Sequence, residues 1–210
     1  NACMQITHSE WALLVVPPLA YALLFVPVVR RAVRASRRLA NALNALRSTH
    51  NLAMALFSAA AAAAAATQLA KRGAVSPNAL LCQPVPEPAP LLARVWYLSK
   101  LAEWFDTALL LAAAKPLSNL HYNHHLTTAP VVGAHLVGRE VRTSIFDVPL
   151  LLNALVHTLM YSYYVSPALL RPIKKVLTSA QIVQHVTVLV AIVYTSATVA
   201  SGGSCDVSLA

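Results

Sequence analysis

Six apolar stretches, near residues 11–29, 50–70, 91–114, 120–138, 144–165 and 178–200, run through the chain, and each approaches the roughly 20 residues a helix needs to cross a hydrocarbon core. Bulk chemistry agrees: 58% of the 210 residues are hydrophobic and only 11% are charged, a balance that leaves no room for a separate soluble domain. The expected fold is all-α, a polytopic transmembrane helix bundle forming one domain over residues 1–210. The second stretch is the least apolar of the six. It rests on the alanine run 59–66, a strong helix former, together with Leu52, Leu56 and Phe57.

The formal charge of +9 does not point to nucleic acid, because six of the sixteen cations fall between residues 30 and 47, directly after the first apolar stretch, with no basic stripe interleaved with aromatics. Membrane topology accounts for their placement. The first, third and fifth loops carry Arg30, Arg31, Arg34, Arg37, Arg38, Arg47, Lys115, Arg171, Lys174 and Lys175, whereas the second and fourth carry Lys71, Arg72, Arg139 and Arg142. That bias puts the odd loops in the cytosol and the N-terminus on the opposite side. Residues 1–10 lack the basic region of a signal peptide, so the first stretch is expected to be an anchor in its own right. The chain opens on Asn1, and a preceding piece is expected. Cys82 and Cys205 both fall on the non-cytosolic side of this topology, where a disulfide is permitted; the alternative is that these and Cys3 are incidental thiols.

Ionisable groups inside a bilayer are costly and mark function by default. Here they recur at helical i, i+3, i+4 spacing, which gathers each set on one face. In WYLSKLAEWFDT the third span carries Lys100, Glu103, Asp106 and Thr107, a lysine and two carboxylates able to neutralise one another, either in chemistry or as an interhelical ion-pair staple. The fourth span begins HYNHH, so that His121, His124 and His125 project together, and three histidines within five residues at bilayer depth are poorly explained as core filler. In NALVHTLMYSYY, Asn153, His157, Met160, Tyr161 and Tyr164 share a face while Tyr163 points sideways; an interfacial aromatic belt is the alternative for the tyrosines. In LTSAQIVQH, Gln181, Gln184 and His185 form a further polar face behind Lys174 and Lys175, with the amides either bridging helices or meeting substrate.

The succession SKxxExxDT, HxxHH, NxxVHxxMYxYY and KKxLTxxQIVQ resembles the fatty acid elongase (ELO) family in order and spacing, and RSTHNLAMALFS near residue 50 looks like the opening of the family's second span. The resemblance covers most of the chain. It implies a seven-helix protein of the endoplasmic reticulum membrane, enclosing an acyl tunnel, that converts acyl-CoA and malonyl-CoA to 3-oxoacyl-CoA, CoA and carbon dioxide without metal or other cofactor. Carried over residue by residue, His124 is the nucleophile that accepts the acyl group as an acyl-imidazole, with His121, His125 and His157 around the thioester and the malonyl carboxylate. Neutral imidazole is a competent nucleophile near neutral pH, and a dry bundle interior protects the adduct from hydrolysis. Lys100, Asp106, Asn153, Tyr163, Lys174 and Gln181 are the implied substrate and CoA contacts, a cytosolic Lys174 suiting phosphate. The pairing of Cys82 with Cys205 resembles a lumenal disulfide of family members. Implied partners are the two acyl thioesters, the bilayer, other enzymes of the elongation cycle and a second copy of the chain.

Three features depart from the family pattern. After the DT pair the chain reads LLLAAAKP, with Lys115 as the one cation where the family has a basic cluster; Asn123 replaces an aromatic before the last two histidines; and the chain ends at Ala210, before a seventh span. Two other functions compete. A di-iron membrane desaturase or hydroxylase also uses HxxHH boxes, but such a site needs on the order of eight ligands from several boxes, and one box is present. A non-catalytic lipid-binding or transport protein would use the polar faces as a pathway, and is expected to show broken helices and repeat symmetry.

Overall fold

The computed structural model describes residues 8–73, 76–83, 91–137 and 147–202, and every regular element among them is helical. In chain order these are α1 (His8–Leu19), a π-helical segment (Ala20–Phe25), α2 (Val26–Ala35), α3 (Arg37–Lys71), α4 (Pro77–Leu81), α5 (Leu91–Ala102), α6 (Trp104–Ala112), α7 (Asn119–Val137), α8 (Asp147–Val165) and α9 (Ile173–Ala200). The chain is an all-α membrane helix bundle. Four helical runs among the described residues are long and apolar enough to cross a bilayer: Leu14–Ala35, Arg37–Lys71, Asp147–Val165 and Ile173–Thr198. In the last of these only 17% of the apolar window is buried by protein, so Ile182, Val183, Leu189, Val190 and Val193 face outward, as a lipid solvent allows and water does not.

The helices differ from the expected spans in three places. The first run is interrupted: Pro17 and Pro18 lie inside α1, and just beyond them the backbone widens into the π register, in which the Val26 N–H donates to the carbonyl of Tyr21. Pro27, at the start of α2, withdraws the backbone donor that a carbonyl within the π segment would otherwise meet, and a local π adjustment is one way a membrane helix accommodates such a loss. The arginine-rich stretch after it is helical rather than a loop, since α2 ends at Ser36, whose extended backbone starts α3 at Arg37. The third expected span divides at Glu103, where the Asp106 N–H reaches back three residues to the Glu103 carbonyl and tightens the turn. α7 has 19 residues, the length of a span, but its polar first turn makes it less apolar than the four above.

The chain gathers into two compact units. The first comprises residues 1–47 and 89–139, in which α1 and α5 pack on α7 and α2 packs on α6. α6 ends there in a Schellman arrangement: the Lys115 N–H donates to the Leu110 carbonyl and the Ala114 N–H to that of Leu111, with Ala114 at φ 53° in the left-handed region usually given to glycine. The Asn44 amide ties the start of α3 to the end of α6 through the Ala112 carbonyl, 3.2 Å away. The second unit comprises residues 48–88 and 140–210, in which α8 packs on α9 and on α4. Its apolar contacts include Met54, Ala55 and Met160 around Tyr161, and Leu81, Cys82 and Ala191 with Val148. An ion pair joins Arg72, past the end of α3, to Asp147 in the first turn of α8.

Candidate active site

In the first unit the HxxHH turn is set by a helix cap. The Ser118 hydroxyl accepts the His121 N–H at 3.1 Å and the Ser118 carbonyl accepts that of Tyr122, so α7 begins with the histidine face fixed in register. His121, His124 and His125 then cluster as the spacing predicts. The rings of His121 and His125 are 4.3 Å apart, and those of His124 and His125 meet edge to face at 5.5 Å. His125 is buried, with His121 and His124 half-buried beside it. Asn123 points the other way: it is exposed and its amide donates to the Asn119 carbonyl, so this departure from the family pattern falls outside the histidine cluster.

A hydroxyl relay joins this cluster to two other elements. His121 Nε2 lies 2.8 Å from Thr107 Oγ1 on α6, which lies 2.8 Å from the Tyr21 hydroxyl in the π segment. Tyr21 and Thr107 are wholly buried. Around them Tyr21 packs against Trp104 at 5.2 Å, Tyr122 at 5.7 Å and His125 at 6.0 Å. A hydroxyl with one proton sits between a phenol and an imidazole, so the direction in which the relay donates selects the tautomer of His121. Tyr21 was not singled out by sequence reasoning. The available signal was a lone tyrosine in an apolar stretch directly after two prolines.

Lys100 and Glu103 occupy the tightened turn between α5 and α6. Their Nζ and Oε1 atoms are 2.6 Å apart, the side chains 2% and 1% exposed, and the ammonium stands 5.7 Å from the centre of the Trp96 ring. The mutual neutralisation expected of this face is present between Lys100 and Glu103, within one helical turn. Asp106 is half-buried on the same stretch.

The remaining expected site residues are in the second unit. Asn153 and His157 are buried on α8, and the His157 ring packs at 5.5 Å on Tyr161, which is fully buried and also meets His50 of α3 edge to face at 6.1 Å. Asn51 and Ser58 are buried on α3. Tyr163 is half-buried and packs on the exposed Tyr164. On α9 the polar face divides: Gln184 is buried, Gln181 is half-buried, and the exposed His185 turns its Nδ1 to the Gln181 carbonyl at 2.6 Å. Lys174 and Lys175 are exposed. Cys82 is buried and disulfide-bonded; Cys3 and Cys205 lie outside the described residues, as do Arg139 and Arg142.

The sequence matches the ELO family, described as the GNS1/SUR4 family, over residues 6–210. It is 39% identical over 95 residues to fatty acid elongase sre1 of Dictyostelium discoideum, covering 44% of this chain and 35% of that protein. To fatty acid elongase 3 of Trypanosoma brucei brucei it is 36% identical over 118 residues, covering 53% and 38%. To very long chain fatty acid elongase 4 of Trypanosoma cruzi it is 33% identical over 104 residues, covering 47% and 35%. The matched stretches thus span little more than a third of these relatives' length. No solved structure matches the chain. With the family match running from residue 6 to the last residue, this multi-pass membrane protein belongs to the ELO (GNS1/SUR4) family.

Proposed function

We propose that this chain carries the condensing centre of fatty acid elongation, joining acyl-CoA to malonyl-CoA in the endoplasmic reticulum membrane. The observation that carries this reading is the Ser118-capped HxxHH turn, whose histidines are gathered at the buried Tyr21–Thr107 pair. Fatty acid elongase relatives supply the substrate class.

In this reading a His124 ring nitrogen attacks the thioester carbonyl carbon, the carbon–sulfur bond breaks, and CoA leaves as the thiol after taking up the imidazole proton. The bond between the malonyl carboxylate and its α-carbon then breaks, releasing carbon dioxide. The resulting enolate carbon attacks the acyl-imidazole carbonyl, the carbon–nitrogen bond breaks, and His124 leaves with its ring nitrogen taking up one proton from water, giving 3-oxoacyl-CoA and neutral His124. His121, His125 and His157 serve the thioester and malonyl carboxylate. The Thr107 relay holds the tautomer of His121, a positioning task in which one misplaced proton removes a donor or acceptor. The buried Lys100–Glu103 pair keeps a cation near α6 without a net buried charge. Lys100, Asp106, Asn153, Tyr163, Lys174 and Gln181 complete the substrate contacts, and no metal enters.

The test is intact-mass analysis of the full chain after incubation with a long-chain acyl-CoA, with incorporation of labelled malonyl-CoA measured in parallel. An acyl adduct present in the parent and absent in His124→Ala is expected. An adduct that persists in His124→Ala overturns the assignment of His124, and malonyl-CoA left unincorporated by the parent overturns the reading as a whole.

A further inference from the structure

A cleft of about 790 Å³ opens beside α2 in the first unit, lined by Val26, Pro27, Arg30, Arg31, Arg34 and Tyr122, with Ala35 at its end. The three arginines sit at i, i+1 and i+4 and are exposed, and none has an ion-pair or hydrogen-bonding side-chain partner among the described residues. Nothing in the neighbouring sequence neutralises them: no Asp or Glu occurs from Trp11 to Pro86. Tyr122 comes from α7, and its hydroxyl makes no hydrogen bond among the described residues. Val26 and Pro27 belong to the apolar run Leu14–Ala35. Along α2 the cleft is therefore apolar at its start, at Val26 and Pro27, and cationic over the next two turns.

A topology anchor requires only positive charge in a loop. It does not require three guanidinium groups facing a concavity that an aromatic from another helix helps to close. Guanidinium forks match phosphate oxygens in pairs, a phenol adds a neutral donor, and arginines at the membrane edge attract anionic headgroups. We propose that this cleft binds the phosphate headgroup of an anionic membrane phospholipid, whose acyl portion lies along Val26 and Pro27. This site adjoins the histidine cluster through Tyr122, but its occupancy is read without turnover. A soluble phosphorylated nucleotide shares the phosphate but has no use for the apolar end at Val26 and Pro27, so the two sources are separable.

The experiment is native mass spectrometry of the full chain in detergent with phosphatidic acid or phosphatidylcholine, with adenosine 3′,5′-bisphosphate as competitor. Phosphatidic acid should be retained at least about tenfold more tightly than phosphatidylcholine, and the bisphosphate should not displace it. Arg30→Gln combined with Arg31→Gln and Arg34→Gln should abolish the preference. Arg37→Gln with Arg38→Gln, which removes charge from the adjoining helix, should keep it. Ala35→Trp, which obstructs the cleft at an exposed position without changing charge, should also abolish it, and so decides the matter if the triple variant fails to fold. An equal loss in the Arg37/Arg38 variant would mean diffuse attraction and overturn the proposal, as would retention of the preference in Ala35→Trp. Displacement by the bisphosphate would overturn it in favour of a nucleotide.

Discussion

The Thr107 hydroxyl lies 2.8 Å from Nε2 of His121, and that single contact ties the histidine turn of α7 to α6 and, through Thr107, to Tyr21 in the π segment. Thr107→Val keeps the shape of the side chain but leaves the Tyr21 hydroxyl and His121 Nε2 without this partner. Loss of a buried hydrogen-bonding partner costs about 1–3 kcal/mol. Thermal unfolding in detergent should show that loss, and malonyl-CoA incorporation should fall at least about tenfold if the relay positions His121. Tyr21→Phe, which leaves Thr107 free to serve His121, should do less harm than Thr107→Val. The reverse ranking would remove His121 as the end of the relay that matters.

Lys100 and Glu103 neutralise one another out of contact with solvent. Lys100→Met alone should destabilise by about 3–5 kcal/mol, because it strands a carboxylate, whereas Lys100→Met combined with Glu103→Leu should recover much of that loss. A double-mutant cycle on detergent unfolding measures the coupling. Additive losses would show that the two charges act independently.

Ala114 holds the left-handed position that closes α6, at φ 53°. Its side chain crowds the backbone in that region, and glycine does not suffer this. Ala114→Gly should therefore stabilise the chain by about 1 kcal/mol, read as a raised midpoint of thermal unfolding. Gly73, at φ 59°, is the matched opposite: Gly73→Ala should destabilise by a similar amount although its missing Cβ would meet nothing within 4 Å.

Tyr161 is fully buried against Met54, Ala55 and Met160, whereas its neighbour in sequence, Tyr164, is exposed. Tyr161→Ala should cost about 3–5 kcal/mol from lost burial and the cavity left behind, and Tyr164→Ala well under half of that. Comparable losses at the two sites would contradict the packing of α8.

Cys82 is disulfide-bonded within an apolar contact of the second unit. Non-reducing peptide mapping should recover Cys82 linked to Cys205. A Cys82–Cys3 peptide would overturn that pairing.

The membrane-helix character of this protein was legible in its sequence, and so was the gathering of His121, His124 and His125, because apolar run length and i, i+3, i+4 spacing are local properties that a helix converts directly into faces. Neutralisation of Lys100 by Glu103 was legible for the same reason, being a matter of three residues. Packing decided the rest. Which hydroxyl meets His121 depends on bringing together Tyr21 and Thr107, 86 residues apart, and on a π turn that changes which way Tyr21 faces. The break at Glu103 and the burial of Gln184 rather than Gln181 likewise depend on how the helices pack, which no periodicity in the sequence records.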